Sequence, residues 1–142
     1  MRKFWFDMDG TIADLYGVEG WLEMLLNSDP TPYAVARPLV NMARLARALN
    51  KAQRLGAEIG IISWLSKNGT EEYNKAVTLA KLGWLAKHLP SVKWNEIKIV
   101  EYGTPKETLG NGVLFDDEIP NRIAWGVGAY EPEKIFEILA TA

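Results

Sequence analysis

Short apolar runs, each too brief for a helix, recur along the 142 residues of this chain, with stretches of helical periodicity between them. Lys3-Phe4-Trp5-Phe6 leads into Asp7, and residues 57–63 (Ala-Glu-Ile-Gly-Ile-Ile-Ser) end in a hydroxyl. Residues 97–100 and 112–115 repeat the pattern, and 122–127 form a weaker fifth run. Runs of this length read as strands buried on both faces.

Helical stripes fill the gaps. Residues 18–27 place Val18, Leu22, Leu25 and Leu26 on one face, until Asn27-Ser28-Asp29-Pro30-Thr31-Pro32 breaks the pattern. A longer helix is expected over 38–55, with Pro38 in its first turn, Met42, Leu45, Leu49 and Ala52 as its stripe, and Gly56 as its stop. Thr70 caps a helix that runs to His88 and shows Tyr73, Val77, Ala80 and Trp84 on one side. A last helix spans 131–140, with Pro132 in its first turn and Ile135, Ile138 and Leu139 inward. Strands alternating with helices imply an α/β fold, a parallel sheet covered on both faces. The whole of 1–142 reads as one domain, in which 14–37 is too long for a simple connection and forms a small cap-like insertion.

Composition narrows the function. A net charge of −2 argues against extended nucleic-acid binding but leaves room for one focused phosphate site. With no cysteine, thiolate metal sites are excluded. No apolar run reaches the ~20 residues of a membrane helix, and acidic residues follow the start too closely for a signal peptide, so a cytoplasmic location is expected.

Asp7-Met8-Asp9-Gly10-Thr11 carries the strongest chemical signal. Carboxylates at i and i+2 after a buried strand emerge on one side of the chain, and Gly10 permits a sharp turn. Two acids held together repel unless a cation joins them or one takes a proton. In phosphoryl transfer one can attack while the other serves the leaving oxygen. D-x-D-G-T arises by chance on the order of once per thousand chains of this length, which favours chemistry over an ordinary Asp-Gly turn. Ser63 ends the second run, where its hydroxyl and the Trp64 amide can hold a phosphate oxygen. Lys106 follows Pro105 in a loop, and Asp116-Asp117 closes the fourth run. Singly these three signals are weak, since turns and solvated charges explain each.

In that order, the four motifs resemble those of the haloacid dehalogenase superfamily of phosphatases, from residue 3 to about 127. The resemblance implies a three-layer Rossmann-like sheet with the Asp7 strand central and a minimal cap. It implies Asp7 as nucleophile and Asp9 as general acid and then base, with Met8, Asp9, Thr11, Ser63, Trp64 and Lys106 around the phosphate. Mg²⁺ would be held by the Asp7 side chain, the Asp9 carbonyl and Asp116, with Asp117 beside it. Carboxylate and water ligands suit Mg²⁺, and zinc is not expected from a set without His or Cys. The only histidine, His88, is read as a favourable charge at a helix end.

The run Lys81-Leu82-Gly83-Trp84, Lys106 and the Asp116-Asp117 pair is similar to the 5′(3′)-deoxyribonucleotidase branch, although that branch carries a larger cap. The resemblance implies a nucleoside monophosphate as substrate. Trp21 and Tyr33 in the insertion and Trp64 beside Ser63 are candidates to stack on a base. Core packing would explain them equally, as it does Trp5, Trp84 and Trp125. Rival readings are a phosphatase of bulkier substrates, such as polynucleotide ends or other phosphorylated metabolites, and a non-catalytic phospho-ligand binder. The substrate is expected to be small and phosphorylated, and a homo-oligomer stays open.

Overall fold

The computed structural model describes residues 2–142. Five parallel strands make the sheet, in the order β5-β4-β1-β6-β7: β1 Lys3–Phe6, β4 Glu58–Trp64, β5 Glu96–Val100, β6 Val113–Phe115 and β7 Ala129–Tyr130. Phe4, Trp5 and Phe6 are all buried because helices cover both faces, which is why β1 reads as an unbroken apolar run. The chain first builds outward from β1 through β4 to β5, then returns to β1's other side with β6. A strand order that reverses about β1 opens a crevice at the carboxyl ends beside it, where open α/β sheets bind ligands. The α/β expectation therefore holds.

Two helices carry the expected stripes. Helix α3, Met42–Arg54, buries Leu45, Leu49 and Ala52, and ends at Gly56, whose φ of 98° is the left-handed stop. Helix α4, Glu71–His88, is capped by the Thr70 hydroxyl, which accepts the Tyr73 amide. Its buried face comprises Tyr73, Val77, Lys81, Trp84 and Leu85. Trp84 is 1% exposed and its indole donates to the Ala36 carbonyl at 2.8 Å, so α4 both fills the core and ties down the insertion.

Several expectations need correction. Pro38 does not open α3. It pairs with Ala13 in a two-stranded antiparallel ribbon, β2 Ala13–Asp14 with β3 Arg37–Pro38, and Asn41 caps the helix by accepting the Arg44 amide. Residues 122–127 are not a strand. They fall largely in helix α5, Ile119–Trp125, whose first turn accepts Pro120, and the fifth strand is the two-residue β7. Asp29 to Pro32 ends helix α1, Trp21–Leu26, but Pro32 then sits in the first turn of α2, Thr31–Val35.

The last helix shortens to α6, Ile135–Leu139, with Pro132 in a preceding 3-10 turn. Trp125 is half-buried rather than core. His88 packs on Trp84 with ring centroids 4.5 Å apart. Burial and neighbouring Lys87 lower its pKa, opposite to what a helix terminus alone would do. Among the described residues, no helix is long and apolar enough to cross a membrane.

The insertion is fastened unevenly. Tyr73 donates to the Asp29 carbonyl at 3.0 Å, Tyr33 and Ser66 share a 2.9 Å hydrogen bond, and Trp84 holds Ala36. Residues 29–36 are thus pinned to α4 and the loop before it, whereas α1 buries none of its residues.

Candidate active site

Strands β1, β4 and β6 deliver their terminal polar residues to one edge: Asp7 and Asp9, Ser63, and Asp116 with Asp117. Lys106 enters from the 3-10 turn Lys106–Thr108 and is 2% exposed. Its ammonium donates to Asp7 Oδ1 at 2.9 Å and to Asp116 Oδ2 at 2.7 Å. Burial opposes that charge, but Asp7 and Asp116 outweigh it and hold the Lys106 pKa above its ordinary value.

Asp116 is fully buried and also accepts the Glu118 amide at 2.9 Å and the Asn121 side-chain amide at 3.1 Å. Arg122 donates to its carbonyl, so the first turns of α5 fix its orientation. Thr11, buried within the turn after β1, links two of the acids. Its hydroxyl donates to Asp7 Oδ2 at 3.1 Å and accepts the Asp117 amide at 3.2 Å. Gly10, at φ 82°, lies directly against the Asp117 carboxylate, and any side chain there would displace it.

Ligand oxygens of Asp7, Asp116 and Asp117 lie within 4.8 Å of one another. One lysine does not balance three carboxylates. Burial, then the charge of Asp7, pushes Asp117 up to about 8, and the same causes raise Asp116. An all-oxygen cluster with surplus negative charge fits a hard divalent cation.

Lys81 was given no role from sequence, and it lies at the centre of the site. It is 1% exposed and donates to Ser63 Oγ at 2.7 Å, the Trp64 carbonyl at 2.6 Å and Asp9 Oδ2 at 3.0 Å. All three ammonium protons are engaged. Because Ser63 accepts from Lys81, its own O–H remains to donate. The signal was present: residue 81 follows Val77 by four and precedes Trp84 by three, so a charge falls within an apolar stripe.

The other expected residues divide. Met8's side chain is in the core, and among the described residues neither its amide nor that of Asp9 has an acceptor, which leaves both N–H groups for a ligand. Trp64 is half-buried, with its indole nitrogen bonded to the Thr104 carbonyl and its ring edge-on to Tyr102 at 5.0 Å. Trp21 is also half-buried and meets Tyr16 edge-on at 5.1 Å. Tyr33 is 5% exposed, with its ring 5.1 Å from the Lys81 ammonium. Asp7, Asp9 and Lys106 border a pocket of about 450 Å³ whose walls include both aromatic pairs, Tyr16–Trp21 and Trp64–Tyr102. Tyr16 and Tyr102 were missed because a lone loop tyrosine carries no pattern.

No protein-family model matches this chain, and no curated protein matches it. Among solved structures, the D,D-heptose 1,7-bisphosphate phosphatase from Burkholderia thailandensis is similar, at 12% identity over 88% of this chain and 72% of that one. The TM-score is 0.51. At that identity the likeness is one of fold, and it agrees with the Rossmann-like architecture expected from the motif order.

Proposed function

We propose that this chain is a Mg²⁺-dependent phosphomonoester hydrolase of the haloacid dehalogenase superfamily, acting through an aspartyl-phosphate on Asp7, with a nucleoside monophosphate as substrate. The observation that carries the reading is the meeting of Asp7, Asp9, Lys106, Asp116 and Asp117 at the sheet's switch point, beneath an aromatic-walled pocket. A binder of phosphorylated ligands needs neither a nucleophile nor an acid there.

In this chemistry an Asp7 oxygen bonds to phosphorus as the bond from phosphorus to the leaving oxygen breaks. Asp9 gives that oxygen a proton. As a carboxylate, Asp9 then takes a proton from water, whose oxygen attacks phosphorus and releases Asp7 and inorganic phosphate. Lys81 holds one Asp9 oxygen and leaves the other for the proton. Ser63 O–H, the Met8 and Asp9 amides and the remaining Lys106 proton are the donors for phosphoryl oxygens. The Asp7 side chain, the Asp9 carbonyl, Asp116 and Asp117 would hold Mg²⁺, which would supply the charge neutralisation that an anionic nucleophile and a phosphate dianion require.

Phosphate release from a panel of nucleoside monophosphates with Mg²⁺ tests the proposal. Release from none of them, and none from an aryl phosphate, would overturn it.

The raised Asp117 pKa gives a second test. Its folded value of about 8 lies above the ordinary carboxylate value, so between about pH 4 and 8 the ion-free fold binds the extra proton. Stability of the ion-free protein should fall as pH rises through that window. Mg²⁺ needs the deprotonated carboxylate, so the rise in Tm caused by Mg²⁺ should grow over the same range. An equal shift at about pH 6 and about pH 8 would dismiss Asp117 as a ligand.

Nucleotide selectivity has to come from the walls. Base stacking contributes ~1–3 kcal/mol per aromatic contact in single-stranded nucleic-acid sites. Trp21→Ala and Trp64→Ala are therefore expected to lower kcat/KM for nucleoside monophosphates by ~5–150-fold, with a much smaller effect on a sugar phosphate. Equal losses on both substrates, or a collapsed melting curve, would assign the rings to packing instead.

A further inference from the structure

One wall of the pocket carries a pattern that the phosphoryl chemistry leaves unused. Lys106 Nζ lies 5.3 Å from the centre of the Trp64 ring, Trp64 meets Tyr102 at 5.0 Å, and Lys67 Nζ lies 5.9 Å from the Tyr102 ring centre. Cation, ring, ring and cation thus run from the reaction centre to the pocket's lip.

The two cations differ in their engagement. Lys106 is buried and already holds Asp7 and Asp116. Lys67 is exposed, borders the same pocket, and makes no ion pair among the described residues. Its neighbours in the loop after β4 are neutral: Ser66, Asn68 and Gly69. The acids that border the pocket are Asp7, Asp9 and Glu118. Asp7 and Asp9 are held by Lys106 and Lys81, and Glu118 accepts from Asn121 beside Asp116. An ammonium held over a ring at a pocket mouth, with no acid within ion-pairing distance among the described residues, is presented to an anion that the ligand brings.

We propose that Lys67 binds a second phosphate group of the substrate. The preferred substrate is then a nucleotide that carries a phosphate besides the one removed, either a nucleoside 3′,5′-bisphosphate or the phosphorylated end of a strand. The inference rests on the nucleotide phosphatase reading above. The two rings between the cations offer the base a surface, and the two cations take the two phosphates.

The test compares kcat/KM for a nucleoside 5′-monophosphate, the matching 3′,5′-bisphosphate and a 5′-phosphorylated dinucleotide. At least one of the two substrates that carry a second phosphate should be preferred by about five- to tenfold, the scale of one charge-assisted hydrogen bond partly screened by solvent. That preference should shrink with added salt, disappear in Lys67→Gln and persist in Lys67→Arg. Preference for the bisphosphate assigns the site to a terminal phosphate, and preference for the dinucleotide assigns it to a phosphodiester. No preference in the parent, or an unchanged preference in Lys67→Gln, would overturn the inference while leaving the phosphatase reading intact. Inactivity on all three nucleotides, with aryl phosphate still hydrolysed, would overturn the nucleotide reading and this inference together. Melting curves identify any variant lost to unfolding, in which case Lys67→Glu replaces it and should disfavour the substrates that carry a second phosphate.

Discussion

Asp7→Asn is expected to abolish phosphate release, by at least about 10³-fold, while the protein remains folded. An amide nitrogen or oxygen cannot form the acyl-phosphate, and losing the nucleophile of a covalent mechanism removes most of the rate enhancement. The geometry explains why the fold should survive. Asp7 is one of three clustered carboxylates, two of which hold Lys106, so substitution removes like-charge repulsion from Asp116 and Asp117 as well as one ion pair. Lys106 keeps Asp116 as its partner, and Thr11 can still donate to an amide oxygen. Turnover in Asp7→Asn within tenfold of the parent, in a preparation free of contaminating phosphatase, would remove Asp7 from the chemistry. Loss of the melting transition would mean that the buried ion pair is structural first.

How much of this was legible in the sequence depends on what each element buries. Strands β1, β4 and β6 are covered on both faces, so their apolar runs stand out, and the acids and serine at their ends follow directly. Strand β7 has two half-buried residues and offers no run to find. Helix α5 leaves Ile119 and Ile123 61% and 75% exposed, so its apolar residues do not mark an inward stripe and mimic a strand instead. In the insertion, Pro30 and Pro32 were read as breakers, although a proline in a first turn starts a helix as readily as it ends the one before.

Within the site, Asp7, Asp9, Ser63, Asp116 and Asp117 converge because β4, β1 and β6 are neighbours in the sheet, and Lys106 joins them from the turn after β5. That adjacency is a property of strand order, of which the family resemblance implied only that the Asp7 strand is central. Lys81 comes from a helix, one turn along from Val77. Its run with Trp84 marks a resemblance, but periodicity assigns no role to a lysine in a stripe that is otherwise apolar. A buried lysine there is costly unless paired, and its three acceptors answer that cost. This makes the lysine a pointer to the site rather than noise in the helix.

The proton carries the second large effect. Asp9→Asn should depress turnover by ~10²–10⁴-fold, the usual contribution of a positioned acid–base group. The loss should depend on the leaving group: large for a nucleotide, whose alkoxide must be protonated as it departs, and smaller for an aryl phosphate, whose phenolate leaves unaided. Lys81 sharpens the expectation. It already holds Asp9 Oδ2 at 3.0 Å, and an asparagine can keep that bond through its amide oxygen, so the local geometry should persist while the transferable proton is lost. A Lys81→Met variant differs, because Ser63 and the Trp64 carbonyl lose their donor together with Asp9. Its losses should therefore fall on alkyl and aryl phosphates alike. The measurement is the ratio of alkyl to aryl kcat/KM in both variants, beside their melting curves. If Asp9→Asn loses equally on the two classes, Asp9 is not the acid, and the proton must reach the leaving oxygen from another donor.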